Sequence, residues 1–304
     1  MELLCTFRKA LAGLASRLCI SKKAIAEIKQ QYAALPMATA ATGSWKKYSD
    51  RLKHLVANDD VRNFLQWDVI KSTMFIETMA WTEIELAFLK RSELARWGRV
   101  LREHYTGNPA RYAAYSRSSA NLIHHVYHLA RFEECLGMAL PKTGAVFEFG
   151  GGYGSLCRVF HAVGYHGYYS IFDLPELVYL QNFYLRSLGI PTGVPLGGTQ
   201  PGVHSFFDAT QLAPVLTEVH NASPSIFVAT WSLSEATDDL RQMFSSVIGR
   251  FDHVLIAYQD AFDGRDNTSY FRDMQKNAPN IRWVNCEIEH IPGNFYLFGT
   301  KKQQ

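Results

Sequence analysis

Apolar residues recur at three- and four-residue spacing through the first 140 residues. Beyond Pro141-Lys-Thr-Gly144 they collect into short runs that alternate with helical segments. The first period predicts an all-helical region and the second a series of βα units around a mostly parallel sheet. Leu3, Leu4, Phe7, Leu11, Leu14 and Leu18 form one apolar stripe, and Pro36 with Ala38–Ser44 reads as a linker after it. Further helices are predicted over Trp45–Val56, Val61–Lys71, Trp81–Leu89, Glu93–Tyr105 and Ser119–Leu136, with Trp45, Trp67, Trp81 and Trp97 as core candidates.

In the second half the predicted strands are Ala145–Phe149, Tyr168–Phe172, a weakly marked run near Gly193–Gly198, Ser225–Ala229 and His253–Tyr258. Helices are predicted from Ser155 to Ala162, from Pro175 to Leu188, from Thr237 to Ile248 and from Thr268 to Asn277. Arg282–Glu287 and Asn294–Thr300, separated by His290-Ile-Pro-Gly293, read as an antiparallel hairpin closing the sheet. Residues 1–140 are therefore expected to form a helical domain in front of an α/β domain over 141–304.

Composition adds little to this picture: 47% hydrophobic and 19% charged residues suit an ordinary globular chain. No apolar run reaches the roughly 20 residues of a membrane span. Glu2, Arg8, Lys9 and Arg17 break up the N-terminal apolar stretch, so a cytoplasmic protein is expected. Five scattered cysteines without a CxxC pair argue against a disulfide framework and a zinc site. The net charge of +3 is uneven, basic over residues 1–140 and acidic beyond. No basic patch is interleaved with aromatics in the manner of a nucleic-acid surface, and no nucleic-acid partner is expected. The amphipathic N-terminal helix fits packing within the chain, a homodimer, or contact with a membrane surface.

The chemistry concentrates where the first strand meets its helix, in Val146-Phe-Glu-Phe-Gly-Gly-Gly-Tyr-Gly154. Gly150, Gly151, Gly152 and Gly154 permit a tight turn and close approach of a ligand to the backbone, with Tyr153 among them. A dinucleotide fingerprint would need Gly where Ser155 stands. The alternative acid-x-Gly-x-Gly-x-Gly is met in full by Glu148, Gly150, Gly152 and Gly154. A carboxylate there suits a cofactor bearing an ammonium group and repels a pyrophosphate. Asp173, in Asp173-Leu174-Pro175-Glu176 at the end of the second strand, is placed to accept both hydroxyls of an adenosine ribose, or else only caps the next helix. Asp208-Ala209, after Phe206-Phe207, offers a carboxylate to an adenine amino group, or is a plain turn.

These marks, followed by Thr230-Trp231-Ser-Leu-Ser-Glu235, resemble those of class I S-adenosylmethionine-dependent methyltransferases over residues 142–300. Phe147-Glu-Phe-Gly-Gly-Gly-Tyr-Gly154, Asp173-Leu-Pro-Glu176, Ser232-Leu-Ser-Glu235, Phe64-Leu-Gln-Trp67 and Thr73-Met74 are similar to the sugar O-methyltransferases of bacterial glycan and natural-product clusters. The resemblance implies a Rossmann-like sheet with a closing antiparallel hairpin, S-adenosyl-L-methionine as cofactor, and a sugar or glycosylated small molecule as acceptor. It also implies that Glu148, Gly150–Gly154, Asp173, Leu174, Asp208, Ala209, Thr230 and Trp231 hold the cofactor.

Methyl transfer to an alcohol requires removal of a proton, so a general base is sought at the strand ends. His290 is the first choice, since histidine ordinarily titrates near neutrality; Glu235 and Asp260 are the others. Tyr127 or Arg131, on the helix before the sheet, is expected to hold the cofactor carboxylate. His124 and His128 at i, i+4 and the acidic run Asp260, Asp263, Asp266 are weighed as metal sites, and a metal-free mechanism is expected. The rivals are an oxidoreductase or epimerase, a methyltransferase of carboxylates or peptide ends, and a non-catalytic nucleotide-binding module.

Overall fold

In the computed structural model, which describes residues 20–36, 43–75, 79–92, 94–137, 139–194 and 202–302, six α-helices precede the first strand among those residues. They are α1 (Lys22–Ala33), α2 (Gly43–Asn58), α3 (Asp68–Met74), α4 (Met79–Arg91), α5 (Leu94–Val100) and α6 (Ala120–Leu136). Next come β1 (Ala145–Phe149), α7 (Ser155–Ala162), β2 (Tyr168–Phe172), α8 (Pro175–Ser187) and β3 (Gly202–Phe206). The chain continues through α9 (Leu212–Asn221), β4 (Ser225–Thr230), α10 (Asp238–Val247), β5 (His253–Gln259), α11 (Asn267–Asn277), β6 (Ile281–Glu287) and β7 (Asn294–Lys301).

The seven strands form one sheet in the order β3-β2-β1-β4-β5-β7-β6. Strands β1 to β5 pair in parallel, whereas β7 runs antiparallel to both β5 and β6. This is the Rossmann-like sheet with a closing hairpin that the resemblance implies. Its interior strands read as continuous apolar runs because both faces are covered. On one face Phe147, Phe149, Phe227, Val254 and Ile256 pack against Val215, Val219, Phe244 and Phe271 from α9, α10 and α11. Each full burial of such a side chain contributes roughly 1.5–3 kcal/mol. The edge strand β6 instead exposes Arg282, Asn285 and Glu287.

Several predicted elements are corrected. The stripe from Leu3 to Leu18, residues 37–42 of the expected linker, Glu93 and residues 195–200 lie outside the described residues. Gly43 and Ser44 open α2 rather than close a linker. Val61–Lys71 is not one helix: a 3-10 helix over Val61–Gln66 ends at Trp67, whose extended ψ of 141° separates it from α3. The helix expected to reach Tyr105 stops at Val100, and positive φ at Gly107 and Asn108 marks the turns beyond. The third strand lies at Gly202–Phe206; of the weakly marked run near Gly193–Gly198 only Gly193 and Val194 are described, and the Gly193 amide donates to the Val203 carbonyl. Helix α9 was not predicted, although Leu212, Val215, Leu216 and Val219 form a regular buried stripe.

The chain divides into two compact units, one of Met1–Tyr127, Gly152–Val159 and Leu174–Ile190, the other of His128–Gly151, Phe160–Asp173 and Pro191–Gln304. In the first, Phe64 is fully buried and meets Tyr153, Phe183 and Tyr184 edge-on. A buried ion pair joins Arg158 to Glu103, and Arg158 also donates to the Tyr184 hydroxyl and the Arg102 carbonyl. The second unit holds the whole sheet. No helix among the described residues is long and apolar enough to cross a membrane.

Candidate functional site

The strand order reverses at β1: β2 and β3 lie to one side, β4 and β5 to the other. Ligands of open α/β sheets bind outside the carboxyl ends of the strands at such a switch point. Strands β1 and β2 are in register from Ala145 opposite Tyr168 to Phe149 opposite Phe172. The amide of Gly150 then donates to the carbonyl of Phe172 at 2.8 Å, and that of Asp173 to the carbonyl of Phe206 at 3.1 Å. The start of the glycine bend and Asp173 are thus neighbours, and Asp173 is half-buried.

Gly150, Gly152 and Gly154 have φ of 70°, 58° and 92°, a region open to glycine and costly for most residues. A Cβ on Gly150 would also lie 2.3 Å from Cβ of Ser232, whose hydroxyl donates to the Phe149 carbonyl. Gly150→Ala is expected to lower the stability of the chain by about 2 kcal/mol in denaturant unfolding, from the unfavourable φ and the displaced Ser232 together.

Glu148 points away from the aromatic face of β1 and is 1% exposed. The Tyr169 hydroxyl donates to its Oε2 at 2.8 Å, and a Cβ on Gly151 would lie 3.1 Å from that oxygen. The carboxyl therefore sits against the start of the bend. Burial pushes its pKa up to about 7, against the smaller opposing effect of the Tyr169 hydrogen bond.

At the end of β3, Asp208 is exposed and accepts from the Thr210 amide at 2.9 Å. It caps the short turn Ala209–Gln211, and that hydrogen bond holds its carboxyl below the usual range. Ala209 is exposed beside it, and Phe207 is 43% exposed. At the end of β4, Thr230 and Trp231 are half-buried. Trp231 adopts φ 62°, ψ −30°, which costs a bulky residue on the order of 1–3 kcal/mol. Its amide donates to the Ala257 carbonyl at 2.7 Å and its indole N–H to Oδ1 of Asn294 at 2.7 Å.

Glu235 follows on a short helical turn and is half-buried. Gln259, at the end of β5, donates to its Oε1 at 3.3 Å and accepts from the Ser234 hydroxyl at 2.9 Å. Arg241 is buried and donates to the Ser234 carbonyl and, at 2.6 Å, to Oδ1 of Asn267. Asp260 is exposed; its amide donates to the Gly293 carbonyl at 2.8 Å, which ties the end of β5 to the β6–β7 loop. His290 is half-buried in that loop, which is closed by hydrogen bonds from Ile291 to Ile288 and from Ile288 to Asn294. Glu235 and Asp260 thus follow the carboxyl ends of β4 and β5, and His290 lies in the β6–β7 loop that the Asp260–Gly293 hydrogen bond ties to the end of β5.

The remaining candidates are placed differently. Tyr153 is buried between Phe64, Phe75 and Tyr184, and its hydroxyl accepts from Asn121 at 2.7 Å. Both its ring and its hydroxyl are therefore held within this buried cluster. Tyr127 is buried edge-on against Phe88. Arg131 pairs with Glu134, one turn on along the same helix, at 2.5 Å. Leu174 precedes Pro175 at the start of α8 with extended backbone. His124 bonds to Glu85, and His128 to the Tyr296 hydroxyl. Among the described residues no group of three or more His, Cys, Asp or Glu is arranged to hold a metal ion.

Three contributors were not predicted: Tyr169 beneath Glu148, Asn294 on the Trp231 indole, and Tyr296 on His128. Each comes from another element of the sheet domain than its partner, so only strand register and helix placement reveal it. Gln259 directly follows the predicted strand His253–Tyr258, but no local spacing shows its grip on Glu235.

No family model and no curated protein matches the chain. Similar solved structures include the magnesium protoporphyrin IX methyltransferase of Synechocystis PCC 6803 with bound S-adenosylmethionine. It is 13% identical and covers 75% of this chain and 100% of its own, with a TM-score of 0.39. Another concerns the conversion of a disulfide bond into a thioacetal group during echinomycin biosynthesis, at 13% identity, 58% and 81% coverage and a TM-score of 0.36. A third is the fibrillarin/Nop5p complex, at 9% identity, 53% and 73% coverage and a TM-score of 0.34.

Proposed function

We propose that the chain is an S-adenosylmethionine-dependent methyltransferase acting on a hydroxyl of a sugar or glycosylated small molecule. The observation that carries this reading is the adjacency of the glycine bend and Asp173 at the switch point, through the Gly150–Phe172 hydrogen bond. The donor set supports it. Carboxylates end β2 and follow β3, and Glu148 lies under the bend, so the strand tips favour hydroxyl, amine and ammonium groups. The pyrophosphate of a dinucleotide would meet like charge there, which speaks against the oxidoreductase and epimerase readings.

In this reading Asp173 accepts the two ribose hydroxyls, Asp208 the adenine amino group, and Glu148 faces the ammonium end. Gly150, Gly151 and Gly152 are only partly buried and present main chain to the ligand. When bound, S-adenosylmethionine supplies the electrophilic methyl carbon for in-line displacement by the acceptor oxygen. The chain's own work is to align that oxygen, exclude water and take its proton. His290 is our first choice for the base, and Glu235, held by Gln259, and Asp260 are the alternatives. The sugar acceptor rests on the sequence resemblance.

Titration calorimetry with S-adenosylhomocysteine and with NAD tests the cofactor. We expect binding of the first only, weakened about thirty-fold in Asp173→Ala, equivalent to the roughly 2 kcal/mol of hydrogen bonds to a charged group. Binding of NAD instead would reject the reading. Mass spectrometry for methyl gain across nucleotide sugars and glycans then tests the acceptor.

A further inference from the structure

We propose that Trp231 selects the acceptor by stacking on the apolar C–H face of a pyranose ring, with Asn294, His128 and Tyr296 holding the indole for that purpose. The inference rests on the methyltransferase reading above and assigns Trp231 to the acceptor rather than to the cofactor.

The backbone supplies the first reason. Position 231 lies at positive φ, where glycine would fit without strain and a large aromatic fits worst. A strained residue at a strand end points to function. Its main chain is fully committed, since the amide bonds to Ala257 and the carbonyl accepts from both the amide and the hydroxyl of Ser234. That commitment fixes the direction in which the side chain leaves the backbone.

The side chain is then clamped. Its one polar atom, Nε1, donates to Asn294 at the start of β7. Its ring lies 5.3 Å from that of His128, which is fully buried and fixed by the hydroxyl of Tyr296. With these contacts in place Trp231 is still only half-buried, at the carboxyl end of β4. With the N–H engaged, what it offers a ligand is an apolar π surface of fixed orientation.

Glu235 on the next turn and Asp260 at the end of the neighbouring strand supply hydroxyl acceptors. A flat apolar wall with carboxylates in the adjoining loops matches a ring that is apolar on its faces and hydroxylated at its rim. That is the chemistry of a pyranose.

Saturation-transfer NMR on the full chain with saturating S-adenosylhomocysteine provides the test, using methyl α-glucopyranoside, methyl α-mannopyranoside, methyl β-galactopyranoside and methyl α-rhamnopyranoside as probes and 4-nitrocatechol as a flat aromatic control. We expect transfer to ring C–H protons of at least one glycoside. That glycoside should bind at least ten-fold more weakly to Trp231→Gly and several-fold more weakly to Asn294→Ala. The affinity for S-adenosylhomocysteine, measured by calorimetry, should change less than two-fold in both. Trp231→Phe, which keeps an aromatic face, should fall between parent and Trp231→Gly and serves if the glycine variant does not fold.

The proposal is overturned if the parent, with S-adenosylhomocysteine bound, contacts no glycoside or prefers the catechol. It is equally overturned if Trp231→Gly binds the glycoside as the parent does, or if Trp231→Gly loses S-adenosylhomocysteine. A parent that binds no S-adenosylhomocysteine removes the methyltransferase reading itself, an outcome distinct from all of these.

Discussion

His290→Ala is expected to lower kcat for methyl transfer by about 10²–10⁴-fold while leaving the affinity for S-adenosylhomocysteine unchanged, because a positioned general base contributes on that order. An alcohol holds its proton far above neutral pH, so the transfer must be coupled to deprotonation. His290 sits in the loop that the Asp260–Gly293 hydrogen bond fastens to the end of β5. Single-turnover kinetics with labelled cofactor on parent, His290→Ala, Glu235→Ala and Asp260→Ala would assign the base. A loss confined to Glu235→Ala moves the role to the carboxylate that Gln259 orients. Full activity in all three variants rejects an alcohol acceptor and favours a carboxylate, which needs no base.

The second large effect concerns Glu148. Its folded pKa of about 7 stands above the ordinary glutamate value because burial penalises the charged form. The folded chain therefore holds a proton that the unfolded chain releases, over the window between about pH 4.5 and pH 7. The stability tied to Glu148 is fully present below that window and lost as pH rises through it. The loss amounts to roughly 3 kcal/mol at about 1.4 kcal/mol per pKa unit. Glu148→Gln should lack this slope, and urea unfolding of both proteins at several pH values isolates it whatever offset the amide introduces. In the proposed function, the ammonium group of the cofactor favours the ionised carboxylate. Affinity for S-adenosylhomocysteine should then rise about ten-fold from pH 6 to pH 8 in the parent and stay flat in Glu148→Gln. A parent whose stability shows the same pH profile as the variant would refute the assignment of a buried, proton-holding Glu148.

Much of the sheet was legible because local rules and tertiary demands agree there. Ala145–Phe149, Ser155–Ala162 and Tyr168–Phe172 were predicted with their observed bounds, each apolar run being stopped by glycine or by Asp173. Strand β3 was not, because half-buried His204 and Ser205 interrupt its apolar pattern and its position depends on pairing with Tyr168–Phe172. The break at Trp67 was hidden because Val61, Phe64 and Leu65 keep helical spacing across a 3-10 turn.

In the candidate site, residue types at the strand tips were visible, since Gly-rich bends and acids after apolar runs are local signals. Environment was not. That Glu148 is dry and braced by Tyr169, that Tyr153 turns into an aromatic cage, and that Trp231 is strained and clamped follow from register and packing. No spacing along the chain encodes these.

The closing hairpin has a consequence for the fate of shortened chains. Residues Val254 to Tyr258 of β5 are all buried, and β7 satisfies their outer row of amides and carbonyls. A chain ending before Ile281 would bare that apolar row as a sheet edge, the kind of surface on which identical chains add to one another. Arg282, Asn285 and Glu287 along β6 give the finished sheet a polar margin instead, so messages cut short in this region should yield insoluble product rather than a smaller working domain.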